Sequence, residues 1–321
     1  MNRQDHKGKK DLDTLQQADR SLLSSIQEAL NEALRNEKKN VPEHADHPPF
    51  HFDYVDSRIP NALAFRFEDF SFIGITMPLV DMLWDSCIRL SRSEAIAAAL
   101  GIQIAPEMYD PIHVLLLGTQ LGFIVVHEYT HHVHGHFPKR GPDADFLNEI
   151  LDAPGSGSLE VQAQEIDADG YAVYHVLADL IDGNRRQQAL GLLKLEEWEV
   201  SEQDNVLFSS VVVALGAFLF ARAPSIVNNA RIYSLTHAPQ AVRMNFILHF
   251  ALNWCKQNRP HLQSYMTKER FQVLMRAVAV ATWGMNGGAD WSHQTVFLQS
   301  ENGSSYISKL SECVKKHIRS R

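Results

Sequence analysis

The alternation of hydrophobic and polar positions divides the chain into a short strand-forming segment and a long helical remainder. Between about residues 12 and 38 the apolar positions recur every three or four residues, which predicts an amphipathic helix. Bulky apolar residues alternate with polar ones over 50–55 and are frequent over 62–76, which predicts three strands with a turn near Glu68 and Asp69. We expect these strands to form a small antiparallel sheet.

After Pro78 the hydrophobic pattern becomes helical and largely stays so. The predicted helices cover 79–91, 93–100, 111–136, 158–182, 186–200, 205–221, 239–257 and 267–282. The segment 284–306 is expected to be a loop, followed by a last helix. The pattern therefore predicts an α+β fold that is mostly helical. Residues 1–49 are expected to form a tail, which is disordered over 1–11, followed by the amphipathic helix. Residues 50–321 are expected to form one domain.

Composition and charge exclude some classes of partner. The chain has 321 residues, a net charge of −8 and a pI of about 6.0, so it lacks the general basic surface of nucleic-acid-binding proteins. Its three cysteines, Cys87, Cys255 and Cys313, are far apart and in no metal-binding spacing, which favours a reducing compartment. The polar start of the chain shows no secretory signal. We therefore expect a cytoplasmic protein that binds no nucleic acid.

One uncharged run, over 206–221, raises the question of a membrane span. It is 16 residues long. A helix that crosses the membrane needs ~20 apolar residues. We predict a buried core helix and no stable membrane insertion.

The candidate chemistry is concentrated in LGFIVVHEYTHHVHGHF, over 121–137, which contains the pattern H-E-x-x-H at His127, Glu128 and His131. Two histidines four residues apart lie on one face of a helix and can bind one zinc ion, with the glutamate beside them to activate a bound water. The same pattern occurs by chance on exposed helix faces. The strongly apolar run before it favours a buried functional site.

The third ligand distinguishes the classes of zinc peptidase. The metzincin pattern requires a glycine three residues after the second histidine and a third histidine three residues later. This chain has His134 and Phe137 at those positions, so the pattern fails. We interpret His132, His134 and His136 as a cluster at the helix end that the helix dipole favours, with an auxiliary metal role as the alternative.

A second helix, predicted from about residue 158, carries the acidic sequence EIDAD over 165–169. Glu165 and Asp169 share one face of this helix. Glu165 can complete a His-His-Glu site for one zinc ion per chain, and Asp169 can accept the second ring N–H of a ligand histidine. A solvated acidic face is the alternative, and Glu160 and Asp167 are weaker candidates because they point away from the face of Asp169.

Three motifs together carry a family resemblance. HEYTH at 127–131, EIDAD at 165–169 and THAPQAVR at 236–243 resemble the gluzincin metallopeptidases related to the CAAX prenyl proteases, and most of all the Lit-type phage-exclusion peptidases, which are soluble bacterial enzymes. The resemblance covers about residues 50–255. Two features depart from it: the prenyl proteases have clear membrane spans, and the usual His-Pro is His237-Ala238-Pro239 here.

The resemblance implies a zincin-like domain and adds roles to residues outside the zinc ligands. His237, just before a helix opened by Pro239, would donate a hydrogen bond to the oxyanion of a tetrahedral intermediate, and a loop histidine without a catalytic role is the alternative. Tyr171 and Tyr174 are other candidate donors, with buried core tyrosines as the alternative interpretation. Arg243 would bind a carboxylate such as Asp169, or a substrate carbonyl.

A segment near the start of the predicted domain also takes part in the resemblance. Its residues resemble the edge strand that binds the substrate backbone by strand addition, and they are Asn61, Ala62, Leu63 and Ala64. The resemblance therefore implies an extended protein or peptide substrate.

The sequence predicts a zinc-dependent endopeptidase with Glu128 as general base, in bacterial defence or regulation. A catalytically silent, zinc-stabilised binding or regulatory module is the alternative. A peptidase that cleaves one target only after a trigger and a hydrolase acting on other substrates are further hypotheses. Glu128 favours an enzyme, because a structural zinc site needs no base.

Overall fold

The computed structural model describes the chain in several segments, within which the protein is mostly helical. The described residues are 17–40, 47–67, 69–103, 105–136, 157–223, 227 and 231–319. The predicted disorder over 1–11 and Glu68 of the predicted turn lie outside them. The chain forms two compact units, the first made of 1–82 and 124–151 and the second of 83–123 and 152–321.

The first unit contains a three-stranded sheet. Its strands are β1 (Phe50–Val55), β2 (Ala62–Phe67) and β3 (Phe70–Thr76), in the spatial order β1-β3-β2. β2 and β3 are antiparallel, as predicted for two strands joined by a short turn, but β1 is parallel to β3. The prediction of an antiparallel sheet is therefore wrong for β1. Alternating polarity predicts that a strand forms but not its direction, and β1 reaches β3 without a hairpin.

Helix α1 (Gln17–Asn40) packs against β1. The Phe52 N–H donates to Asn31 Oδ1 over 2.9 Å, and Asn31 Nδ2 donates to the Phe52 carbonyl oxygen over 2.9 Å. The amide of Asn31 thus satisfies backbone groups of β1 that a neighbouring strand would otherwise bind. In the described part of the chain β2 pairs with β3 alone, so β2 is an edge strand.

The second unit is helical. α2 (Met77–Ser91) and α4 (Tyr109–Val133) contribute residues to both units. The remaining helices are α3 (Glu94–Leu100), α5 (Leu159–Leu177), α6 (Arg185–Leu193), α7 (Val200–Leu219), α8 (Gln240–Asn258), α9 (His261–Tyr265), α10 (Lys268–Trp283), α11 (Gly287–Gln299) and α12 (Glu301–Arg319). A π turn, Ala178–Asp182, continues α5.

The core of this unit forms where α5 packs against α8 and α12. Ile166 of α5, Val242 of α8 and Leu310 of α12 are fully buried members of one apolar cluster. α7 is buried along 206–219, which confirms that the uncharged run is a core helix. Burial of these side chains supplies most of the free energy that holds helices of modest intrinsic stability in place.

The prediction of a loop over 284–306 is wrong, because most of this segment belongs to α11 and α12. Glycines and small polar residues have low helix propensity, which is why the sequence indicated a loop. In the structure Gly287 packs against α10, and a Cβ there would lie 2.0 Å from the Ala279 carbonyl oxygen. The glycine therefore allows a close approach of two helices, and tertiary packing outweighs its low propensity.

Candidate metal centre

His127 and His131 lie near the C-terminal end of α4, each with 1% of its surface exposed. Their Nε2 atoms face each other at 3.0 Å. A tetrahedral zinc ion bound at about 2.0–2.1 Å from each nitrogen would hold the two nitrogens about 3.3 Å apart. The pair therefore fits one shared ion with a small adjustment of the rings.

Glu128 follows His127 directly and is fully buried. It lies on a helix that is apolar around most of its circumference, with Leu121, Phe123 and Val125 in the same stretch also buried. This stretch sets the backbone of the H-E-x-x-H pattern in a packed interior. A carboxylate held there can serve as a proton acceptor in a largely water-free environment.

Glu165 lies in the middle of α5, which begins at the N-cap Ser158, whose side chain accepts a hydrogen bond from the Val161 N–H. Glu165 is buried, and its Oε2 lies 3.5 Å from His237 Nε2. His237 Nδ1 lies 3.0 Å from Thr236 Oγ1. Glu165 and His237, 72 positions apart in the sequence, are thus neighbours, and each ring nitrogen of His237 has an oxygen atom within 3.5 Å.

Buried histidine and carboxylate side chains form clusters whose ligand atoms could hold a metal ion. The predicted ligands His127, His131 and Glu165 are each buried. Two imidazoles and one carboxylate are a donor set that suits zinc, so the chemistry of these three residues agrees with the predicted site.

Asp169 and Arg243 form a buried ion pair between α5 and α8. Arg243 Nε donates to Asp169 Oδ2 over 2.9 Å, and Arg243 Nη2 donates to Asp169 Oδ1 over 2.7 Å. This is the carboxylate that the sequence suggested as a partner for Arg243. A carboxylate has about four acceptor positions, so the bidentate pair leaves Asp169 able to accept a further N–H.

The histidines that follow the H-E-x-x-H pattern differ in environment. His132 Nε2 lies 3.1 Å from the Phe72 carbonyl oxygen of β3, and burial lowers the pKa of His132 to about 4. His134 is half-buried, whereas His136 is buried. His136 Nδ1 lies 3.0 Å from His131 Nδ1, a contact that the spacing of these residues did not predict. Gly135, one residue before His136, is the sequence signal that could have indicated the turn.

The proposed substrate segment lies on β2. Ala62 and Ala64 are buried, and Leu63 is half-buried. The Asn61 N–H donates to Thr76 Oγ1 over 2.7 Å, which ties the start of β2 to the end of β3. β2 pairs with β3 alone in the described part of the chain, which makes it the edge at which strand addition would occur, although Ala62 and Ala64 themselves have 0% of their surface exposed.

One helical stretch, over 106–133, is long and apolar enough to cross a membrane by length and composition. It includes α4, and 67% of its most apolar window is buried within the protein. Core helices of soluble proteins pass the same test, so this is weak evidence for a span.

Comparison with known proteins leaves the family open. No model of a protein family matches the chain, and neither the curated proteins nor the solved structures give a significant match. The assignment of a function therefore depends on the chemistry of the site.

Proposed function

We propose that this chain is a zinc-dependent endopeptidase. The observation that carries the proposal is the pair of buried histidines, His127 and His131, whose Nε2 atoms are 3.0 Å apart on either side of Glu128 in the sequence. His127, His131 and Glu165 would hold the ion. Bound zinc supplies a water of lowered pKa, about 7, and polarises the carbonyl of the scissile bond.

Glu128 performs the proton transfers in this proposal. Its carboxylate accepts a proton as the nucleophilic oxygen attacks the scissile carbonyl carbon, and it returns that proton to the nitrogen of the leaving amine. The C–N bond of the peptide breaks and a new C–O bond forms, so no external reductant or oxidant is needed. The burial of Glu128 supports this role, because bulk water does not compete for the proton.

His237 and Arg243 each lie beside one carboxylate of α5. His237 Nε2 lies 3.5 Å from Glu165 Oε2, so the ring proposed to donate a hydrogen bond to the oxyanion lies beside the glutamate ligand. Arg243 holds Asp169 through two hydrogen bonds. Asp169 would in turn accept the ring N–H of a ligand histidine, as the sequence analysis proposed.

The substrate class follows from β2. An extended peptide added to the outer edge of this strand would form backbone hydrogen bonds beside Asn61, Ala62, Leu63 and Ala64. The antiparallel pairing of β2 with β3 and the Asn31 amide at β1 support β2 as the binding edge. Relation to the Lit-type peptidases and a role in phage exclusion are part of the proposal and depend on the three motifs.

The proposal is tested by a search for new protein termini in bacterial cells that express the chain. We expect cleavage of at least one protein by the parent and none by Glu128→Gln at the same abundance. The variant keeps the proposed ligands and removes the base, so it is the matched control. If parent and variant give the same termini while zinc is bound to both, the chain is a catalytically silent zinc-stabilised module.

A further inference from the structure

The end of α4 folds back on itself through a left-handed residue. Gly135 has φ +66°, a conformation that glycine adopts without strain. The His136 N–H donates to the His131 carbonyl oxygen over 3.1 Å, which closes a Schellman-type turn. The turn returns the chain toward the last part of the helix, so residue 136 is placed beside residue 131.

The side chains of His136 and His131 meet in this turn. Their Nδ1 atoms are 3.0 Å apart and their ring centroids 5.0 Å apart, at an interplanar angle of 72°. Two ring nitrogens at this distance share one proton, because one must donate and the other accept. The opposite nitrogen of His131, Nε2, faces His127 Nε2 at 3.0 Å.

The bound metal decides which nitrogen carries that proton. A histidine that ligates through Nε2 keeps its proton on Nδ1, so His131 is the donor and His136 Nδ1 the acceptor. His136 then carries its own proton on Nε2. The pair therefore fixes the tautomer and the ring orientation of His131, a task for which proteins often use a carboxylate or a backbone carbonyl.

We propose that His136 is a positioning residue that accepts the Nδ1 proton of His131 and so holds this imidazole ready for the metal. The inference depends on the proposed zinc site and deepens it. His136 is 4% exposed, so water does not compete strongly for the contact. The turn at Gly135 and the burial of His136 are separate observations that favour a built interaction.

Two variants of similar shape separate acceptance of the proton from packing. His136→Asn places an amide oxygen close to the position of Nδ1, whereas His136→Leu has the same branching at Cγ and no acceptor. The exposed His293 of α11 provides the control variant His293→Ala. Zinc affinity is measured by competition with a chelator for all four proteins, together with the urea unfolding of each metal-free form.

We expect His136→Leu to weaken zinc binding by about 10–100-fold, the usual cost of losing such a partner. His136→Asn should recover most of this loss, and His293→Ala should bind like the parent. The ¹⁵N spectrum of the zinc-loaded parent should show His131 protonated on Nδ1 and His136 protonated on Nε2. Neither the rescue by asparagine nor the tautomers would follow from a role in packing alone.

Several outcomes contradict the inference. Equal zinc affinity of the parent and His136→Leu would show that His131 needs no such partner. Two zinc ions per chain in the parent, with one lost in His136→Leu, would make His136 a metal ligand instead. If His136→Leu does not fold, the inference rests on His136→Asn, and it is overturned if this variant binds zinc about 10–100-fold more weakly than the parent. Absence of zinc binding by the folded parent would reject the proposed function itself.

Discussion

At the scale of single residues, the site depends on polar groups placed in a packed interior. Glu128 and Asp169 are fully buried, and Arg243 is nearly so. Buried charged groups cost several kcal/mol of free energy unless they are paired or bind a metal. Asp169 and Arg243 pair with each other, and a buried ion pair adds little net stability over apolar residues of similar volume, so their presence on the proposed site helices is better explained by function than by stability.

The first prediction concerns Glu128→Gln, which is nearly isosteric. We expect zinc affinity within threefold of the parent, because no ligand atom is removed. The rate of peptide hydrolysis should fall by about 10²–10⁴-fold, the typical contribution of a general base. Metal analysis and kcat on a cleaved peptide measure the two effects. Activity within tenfold of the parent would assign the proton transfer to another group.

The second prediction compares the two carboxylates of α5. Glu165→Ala removes a proposed ligand and should weaken zinc binding by more than 100-fold, whereas Asp169→Ala should weaken it by about 10–100-fold. Zinc titrations of both variants give the order, and the reverse order would show that the two roles are exchanged.

Because Asp169 also pairs with Arg243, the zinc titration of Asp169→Ala needs a control for the loss of stability. Asp169→Ala removes both hydrogen bonds to a buried guanidinium, which should lower the free energy of unfolding by about 3–5 kcal/mol. The double variant Asp169→Ala/Arg243→Met removes the charge as well. It should be more stable than Asp169→Ala but bind zinc equally weakly, which separates the effect on the metal from the effect on the fold.

At the scale of elements, a residue of α5 connects the C-terminal helix to the segment that carries His237. Gln162 Nε2 donates to the carbonyl oxygens of Ile232 and Leu235, each over 2.8 Å, and the Tyr306 hydroxyl of α12 donates to Gln162 Oε1. Gln162 is fully buried. It thus anchors the turn that leads to His237.

The third prediction is that Gln162→Leu loosens this turn. Each buried carbonyl that loses its donor costs about 1–3 kcal/mol, so the free energy of unfolding should fall by at least that amount. Amide hydrogen exchange over 231–237 should accelerate, and kcat should fall more than KM changes. Urea unfolding, exchange mass spectrometry and peptide hydrolysis measure these three effects.

A similar glutamine provides the control for this prediction. Gln203 Nε2 donates to the carbonyl oxygens of Leu195 and Trp198, each over 3.0 Å, in a loop that contains no proposed site residue. Gln203→Leu should therefore lower stability to a similar degree without changing exchange over 231–237. If both variants reduce kcat equally, the effect of Gln162 is a general loss of stability rather than positioning.

The elements also show what local pattern can predict. β2, β3 and most helices were predicted to within a few residues, because period-two and period-3.6 patterns depend on neighbours in sequence. The direction of β1 and the helical state of 287–299 were not predicted. The first depends on strand order and the second on the contact of Gly287 with Ala279, and neither is encoded within one window of sequence.

At the scale of the whole molecule, the candidate site combines residues from distant parts of the chain. The pattern H-E-x-x-H identifies His127 and His131 from local spacing alone. The ion pair of Asp169 with Arg243 joins residues 74 positions apart, and spacing only suggested it. The contact of His136 with His131 was missed, because His136 was interpreted as part of a helix end that continues in a straight line.

The fourth prediction treats the metal as a ligand of the folded state. A metal that binds the native protein and not the unfolded chain stabilises it by RT ln(1 + [L]/Kd), about 2.7 kcal/mol at a free concentration 100 times Kd. With an unfolding entropy of about 2.1 cal/mol/K per residue, each kcal/mol raises the Tm of a 321-residue protein by about 1.5 °C, so zinc should raise Tm by about 4 °C. Differential scanning calorimetry with and without zinc measures the shift.

Three controls determine whether this shift reports the proposed site. Glu128→Gln keeps every proposed ligand, so its Tm should rise with zinc as much as that of the parent. His127→Ala/His131→Ala removes both imidazoles and should show no zinc-dependent rise, although its metal-free Tm will differ. Magnesium at the same concentration should have no effect, since it prefers oxygen ligands in octahedral geometry. A full zinc-dependent shift in the double variant would place the stabilising ion elsewhere in the chain and contradict the assignment of His127 and His131.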